Sequence, residues 1–236
     1  MGQNNFSSFT IIIPTLNEEK NIAKLLSLLT RSYKGVHIIV SDDGSTDNTR
    51  KEVLKAESQN SNIALFEHDK YMEHGLTASI VDASLKVNTD YIIVMDGDLQ
   101  HPPELVKSIA KKMRKSDLCI GTRTEVKNWG VYRKLLSKSI SYFVYFVFKL
   151  RGKPTCSDMM SGFFGIRANL LKKLAKERRE EFVLGGYKVL LDILRMLDKK
   201  TKISEVRYAT FHPRVVGKSK LRIRHMLEVL VSAFRA

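Results

Sequence analysis

Apolar residues gather in short unbroken runs along the first half of the chain, and the segments between the runs repeat their apolar positions at helical spacing. Residues 9–13, 36–40, 63–66, 92–95 and 118–121 are such runs, with the length and composition of parallel strands buried on both faces. After the first run, Ile22, Leu25, Leu26 and Leu29 fall three and four apart, the stripe of an amphipathic helix. Further helices are predicted over 48–57, capped by Asp47 or Thr46, and over 74–86, with Ile80, Ala83 and Leu85 toward the sheet. Pro102 and Pro103 open another over 104–114, because proline suits a first helical turn. Beyond Gly121, the segment 155–167 begins polar and becomes a strand. Asn169 is placed to cap a helix reaching Glu180, and Gly185-Gly186 breaks the chain before a helix over 187–197. A last strand is expected over 203–207. Alternating strand and helix at this rhythm predicts an α/β chain with a mostly parallel, doubly wound sheet flanked by helices. One domain over residues 1–210 is expected, followed at 211–236 by a basic loop and a C-terminal amphipathic helix.

Charge adds a partner class to this picture. The chain has 236 residues, and 40 Lys and Arg against 25 Asp and Glu give +15, which calls for something anionic: nucleic acid, an acidic membrane or a phosphorylated substrate. Cys119 and Cys156 lack metal-ligand spacing, and no two of the six histidines stand four apart. The N-terminus is polar and leads directly into a strand, so no signal peptide is expected, and no run reaches the roughly 18 to 20 apolar residues of a membrane span. Residues 132–153 are different in character. Tyr142, Phe143, Tyr145, Phe146 and Phe148 sit among Arg133, Lys134, Lys138, Lys149 and Arg151, a composition that suits the lipid interface, with a buried core helix as the alternative.

Sheets of this kind bind ligands beyond the carboxyl ends of their strands. Glu18, Asp42, Asp43, Asp96 and Asp98 all fall there, which turns scattered acids into one site. Asp96-Gly97-Asp98 places two hard-oxygen donors around a glycine turn, a pattern that suits Mg²⁺ or Mn²⁺ with diphosphate oxygens completing the shell. Thr122-Arg123 brings a cation to the same rim, and the loop Arg214-Val215-Val216-Gly217-Lys218-Ser219-Lys220 supplies more. No G-x-G-x-x-G follows the first strand, where Pro14-Thr15-Leu16-Asn17-Glu18 stands instead, so a dinucleotide-binding enzyme is disfavoured. A purely nucleic-acid-binding protein would leave the acidic cluster unexplained, since carboxylates repel phosphate.

Taken together, Pro14-Thr15-x-Asn17-Glu18, Asp42-Asp43-Gly44-Ser45-x-Asp47-x-Thr49, Asp96-Gly97-Asp98-Leu99-Gln100-His101-Pro102-Pro103-Glu104, Gly121-Thr122-Arg123, Tyr132-Arg133-Lys134, Ser161-Gly162-Phe163-Phe164 and Arg214-x-x-Gly217-x-Ser219-Lys220 span nearly the whole chain. In this order they resemble the family 2 glycosyltransferases of the GT-A (Rossmann-like) fold, most closely the dolichol-phosphate (polyprenol-phosphate) mannose synthases. Two positions depart from the family's habit, Gly97 where alanine is frequent and Leu16 where an aromatic is frequent. The resemblance implies inverting transfer of mannose from GDP-mannose to a polyprenyl monophosphate, with another nucleotide sugar such as UDP-glucose as the alternative donor. It implies that Pro14, Leu16, Glu18, Val40, Asp42 and Asp43 hold the donor's base and ribose, and that Asp96, Asp98 and Gln100 surround the metal, with Gly97 close to the donor. Arg123, Arg133 and Ser161 would meet the acceptor phosphate, while Lys188, Arg214 and Lys220 neutralise donor phosphate. Asp98, Arg123 and Arg214 would carry catalysis. A phosphomonoester with its second pKa near about 6 is already ionised at neutral pH, so no general base is required. Asp158 and Asp192 would serve as bases only for a hydroxyl acceptor. The implied setting is the cytoplasmic side of a membrane, with attachment peripheral or through a region absent from this chain, and no nucleic acid as partner.

Overall fold

The computed structural model describes residues 5–68, 71–124 and 142–208. Among these residues seven strands form one sheet in the order β3-β2-β1-β4-β6-β5-β7: β1 (Phe9–Thr15), β2 (His37–Asp42), β3 (Ile63–Glu67), β4 (Tyr91–Val94), β5 (Leu118–Arg123), β6 (Phe164–Arg167) and β7 (Ile203–Tyr208). β1 pairs in parallel with β2 and β4, β2 with β3, and β5 with β7. β6 enters antiparallel between β4 and β5, a direction that the strand-and-helix rhythm does not encode. Strand pleating sends alternate residues to opposite faces. Ile12, Ile92, Val94, Ile120 and Ile166 therefore join one apolar layer, while Ile11, Ile13, Val40, Ile93 and Met95 join the other.

Helices cover both layers: α1 (Glu19–Ser32), α2 (Thr49–Gln59), α3 (Leu76–Lys86), α4 (Val106–Met113), α5 (residues 142–150), α6 (Ala168–Glu177) and α7 (Val189–Met196). Ile22, Leu25, Leu26 and Leu29 are the buried stripe of α1, as their spacing requires. α2 starts under Asp47, whose carboxylate accepts from the Thr49 N–H at 2.9 Å. In α5, Val144 and Phe148 are buried, whereas Tyr142 is 74% exposed and Phe146 59% exposed, with Phe143, Tyr145 and Leu150 also open to solvent. No helix among the described residues is long and apolar enough to cross a membrane.

Several boundaries move from their sequence expectation. β1 continues through Pro14 to Thr15. Thr15 faces β2, where its carbonyl accepts from the Asp43 N–H at 2.9 Å, so Pro14 faces the β4 side, beyond the last β1–β4 pair, Ile12 with Val94. Its missing N–H is needed by no neighbour there. The helix expected from Glu104 is a 3₁₀ turn, Pro103–Leu105, leading into α4. Asn169 does not cap α6, which begins one residue before it with extended Arg167 as the flanking residue; Arg167 is held by Asp117 at 2.9 Å. α6 ends at Glu177, and a separate 3₁₀ turn follows over Arg179–Glu181. α7 starts at Val189, which leaves Lys188 at its flank rather than inside it.

One contact ties the fold to its functional edge. The first N–H groups of α3 would be orphans, and the chain at 184–186 satisfies them: Thr77 N–H donates to the Gly186 carbonyl and Ala78 N–H to that of Leu184, each at 3.1 Å. Gly75 makes this approach possible. Its φ is +136°, and a Cβ there would lie 2.5 Å from the Leu184 carbonyl oxygen. Gly75→Ala is expected to cost about 3 kcal/mol, combining backbone strain with overpacking against main chain, and to appear as a lower urea midpoint at unchanged m-value.

Candidate active site

Four loops leave the carboxyl ends of β1, β2, β4 and β5, and local hydrogen bonds fix each one. After β1, Asn17 adopts the left-handed φ of 57°, and its side-chain oxygen accepts from the Thr46 N–H at 2.8 Å. Asn17 N–H donates to Ser45 Oγ and Glu18 N–H to Thr49 Oγ1, each at 2.8 Å, so the β1 and β2 loops form one unit. The Glu18 carboxylate accepts from Asn21 Nδ2 at 2.8 Å. Pro14 is buried within β1, and Leu16 is half-buried at its exit.

The two acids after β2 have different fates. Asp42 is 0% exposed and accepts from Arg50 Nε at 2.6 Å, Thr15 Oγ1 at 3.2 Å, the Ser45 N–H at 2.9 Å and the Ser45 hydroxyl. Val40 is equally buried within the apolar layer. Neither side chain presents surface to a ligand. Asp43, one pleat on, stands at the rim, where it bonds His74 Nδ1 at 2.9 Å and accepts from the Gly75 N–H at 3.0 Å.

The loop after β4 turns through Leu99, whose φ of 61° is a left-handed conformation costing a branched residue on the order of 1–3 kcal/mol. Asp98 is 4% exposed, and its Oδ1 accepts from the Gln100 N–H at 3.1 Å. His101 Nδ1 accepts from the Asp96 N–H at 3.1 Å, which assigns its proton to Nε2, and its ring stacks on Phe163 at 5.1 Å. Burial pushes the His101 pKa down to about 4, so it remains a neutral acceptor. Gly162 closes the loop from above: a Cβ there would stand 3.3 Å from an Asp96 oxygen. Gly97 is also tight, since a Cβ would come within 3.2 Å of Thr15 Cγ2.

After β5, Arg123 forms a two-pronged pair with Asp158, Nε to Oδ2 at 2.7 Å and Nη2 to Oδ1 at 3.0 Å. Burial works against both charges, but the pairing outweighs it, holding the guanidinium above its ordinary value and the carboxyl below. Lys188 Nζ donates to the Met160 carbonyl at 3.0 Å. Desolvation, and then the Arg123 charge, push its pKa down to about 8. Ser161 spends its hydroxyl on the Gly121 carbonyl at 2.7 Å and accepts from the Phe163 N–H at 3.1 Å, so it shapes the β5–β6 junction. Asp192 is buried and accepts from the Val183 N–H at 3.0 Å.

The structure thus gathers Asp96, Asp98, Gln100, Arg123, Asp158 and Lys188, with the charges of Asp96, Arg123, Asp158 and Lys188 acting on one another. Arg133, Arg214 and Lys220 lie outside the described residues, as do the basic loop and the C-terminal helix expected at 211–236. Asp158, His101 and Arg50 have structural uses that the sequence pattern does not show. Hard oxygens from Asp96 and Asp98 suit a divalent cation, with Gly162 leaving room beside them; among the described residues no group of three or more His, Cys, Asp or Glu side chains forms a complete metal shell. These residues fit a partial shell that a ligand's oxygens complete.

Lys188 gives the site a pH signature. Its ammonium is charged below about 8 and lost above it, so kcat/KM for a phosphate-bearing substrate is expected to fall on an alkaline limb near that value. Lys188→Arg, which keeps the charge, should move the limb above about pH 10, as a pH–rate profile would register. Between about 8 and the ordinary 10.5 the unfolded chain holds the proton that the native state has released, so burial of Lys188 costs stability below that window and ceases to cost above it.

Known proteins resemble this chain in sequence and in fold. The model of glycosyl transferase family 2 matches residues 10–175. A dolichol-phosphate mannosyltransferase of Pyrococcus furiosus is 33% identical over 234 residues, covering 96% of this chain, which spans only 62% of that relative's length. One of Saccharomyces cerevisiae is 28% identical over 236 residues, covering 94% of this chain and 84% of the relative. The sheet and its flanking helices also superpose on glucosyl-3-phosphoglycerate synthase of Mycobacterium tuberculosis, crystallised with Mn²⁺, UDP-glucose and phosphoglyceric acid. The TM-score is 0.69 at 15% identity, over 95% of this chain and 78% of that one. With 166 consecutive positions matched, from the first strand through the helix after β6, the chain belongs to glycosyl transferase family 2.

Proposed function

We propose that this protein transfers mannose from GDP-mannose to a polyprenyl (dolichyl) monophosphate at a membrane surface, with inversion at the anomeric carbon. The observation that carries the reading is the juxtaposition at one sheet edge of an acidic loop, Asp96 to Asp98, with a cationic group, Arg123 and Lys188, around Asp158. The first suits a metal-bound diphosphate, and the second suits a second phosphate. Likeness to dolichol-phosphate mannosyltransferases over nearly the whole chain supports the acceptor and the sugar.

In this reading Glu18 and Asp43, with Pro14, Leu16 and Gly97 beside them, hold the nucleoside. Asp42 and Val40 shape that pocket from beneath. Asp96, Asp98 and Gln100 hold Mg²⁺ or Mn²⁺, which when bound stabilises charge on the departing diphosphate. Arg123 and Lys188 orient phosphate, the former toward the acceptor, and Ser161 acts by fixing the backbone between them. Arg133, Arg214 and Lys220 add cations. The acceptor's oxygen is the nucleophile as it stands, so Asp158 remains a partner of Arg123 and needs to accept no proton.

A prenyl tail demands contact with lipid. The exposed aromatic face of α5, beside Lys149 and Arg151, suits the headgroup region of a cytoplasmic leaflet. Labelled GDP-mannose and a short-chain polyprenyl phosphate on anionic vesicles, with and without Mn²⁺, test the proposal. Mannolipid formation is expected, and incorporation no higher than background, or faster transfer from UDP-glucose, would overturn the donor assignment.

A further inference from the structure

Tyr208, the last residue of β7, has no role in the scheme above. It is 6% exposed, and its hydroxyl has no hydrogen-bond partner among the described residues. Buried polar atoms left this way cost stability and are uncommon in native proteins. Its position explains what it faces. Tyr208 is the register partner of Arg123 in the parallel β5–β7 pair, and adjacent residues of that pair share a face of the sheet. The backbone is fixed there by Thr124, whose N–H donates to the Tyr208 carbonyl at 3.0 Å. The ring stands edge-on to Phe163 at 6.3 Å, and Phe163 stacks on His101, which accepts from the Asp96 N–H. Tyr208 therefore closes an aromatic row that backs the acidic loop, with its hydroxyl in the field of Arg123, Asp158 and Asp96.

We propose that the Tyr208 hydroxyl is a ligand-binding group of this site, donating a hydrogen bond to an anionic phosphate oxygen that Arg123 also attracts. Burial above all holds the phenol well over its ordinary pKa, so it is a neutral donor at any working pH. The inference rests on the reading of the site as one that takes phosphate, but on neither the sugar nor the prenyl chain. A buried hydroxyl with no partner among the described residues is a liability to the unliganded fold, and a phosphate oxygen relieves it. The same group thus lowers stability without ligand and raises affinity with it.

Tyr208→Phe separates these effects, because it keeps the ring and removes one oxygen. Three readings are taken on the full chain: the Tm with and without inorganic phosphate, the affinity for GDP with Mn²⁺, and the KM for short-chain polyprenyl phosphate. The expected result is a Tm equal to or above that of the parent, a reduced phosphate-induced rise in Tm, and a roughly tenfold or greater weakening toward phosphate ligand, the scale of one hydrogen bond to a charged group. A loss confined to KM assigns the oxygen to the acceptor, and a loss in GDP affinity assigns it to the donor. A lowered Tm with the phosphate response and both constants intact would overturn the inference, since the hydroxyl would then serve the fold alone. Should the parent protein bind phosphate but transfer no mannose, the functional reading falls while this test still stands.

Discussion

Asp98→Asn is expected to lower kcat/KM for sugar transfer by about 10³-fold or more while leaving the protein folded. Asparagine keeps the shape of the side chain and the acceptor oxygen that receives the Gln100 N–H at 3.1 Å, so this contact in the turn through Leu99 is retained. What disappears is a negative charge at a site 4% exposed, where little water competes with it. Removing it weakens the hold on a divalent cation and, through that, the stabilisation of charge on a leaving diphosphate, an electrostatic contribution of that size at preorganised sites. The Tm should stay level or rise, because Asp96 and Asp98 no longer oppose each other across a single glycine. Mn²⁺ affinity by electron paramagnetic resonance gives a reading independent of turnover. Activity within tenfold of the parent at saturating Mn²⁺ would remove Asp98 from the role assigned to it.

How far such a site is legible from sequence depends on whether local pattern or tertiary partnership sets each residue. β1, β4 and α1 were legible because a sheet covered on both faces needs continuous apolar runs, and a covering helix needs its stripe. The acidic loop was legible because it follows such a run. β1 runs past the apolar stretch 9–13 because a proline at a strand's end breaks pairing only on the side its nitrogen faces. Asp42 and Asp43 look equivalent in sequence, yet the pleat separates them. Asp42 shares the parity of Ile38 and Val40, both core residues, and turns inward to Arg50, while Asp43 reaches the rim. The alternation of residues 38, 40 and 42 carries that distinction in the sequence itself. The antiparallel entry of β6 and the pairing of Arg123 with Asp158 carry no local signal at all, since each depends on where a distant segment is delivered.

Arg123 and Asp158 yield the second large effect. Arg123→Met takes the guanidinium from a largely buried carboxylate, 14% exposed at the side chain, and Asp158→Leu takes the carboxylate from a guanidinium 18% exposed; each is expected to cost about 3 kcal/mol. Because pairing keeps the Asp158 pKa below its ordinary value, that stability is present above the unfolded carboxyl's pKa and is lost as pH falls through the folded one. The single variants should accordingly differ least from the parent in acid. Combining Met with Leu removes both charges and both desolvation penalties, so most of the lost stability should return, a coupling that a denaturant double-mutant cycle measures directly. Transfer should not return with it. The parent cluster of Arg123, Asp158 and Lys188 carries a surplus positive charge beside the acidic loop, which on the proposed reading attracts an incoming phosphate; the apolar pair leaves only Lys188 of these three. A double variant that regains stability and stays inactive locates Arg123 in ligand binding. One that regains both would reduce the pair to a brace between β5 and the loop before β6.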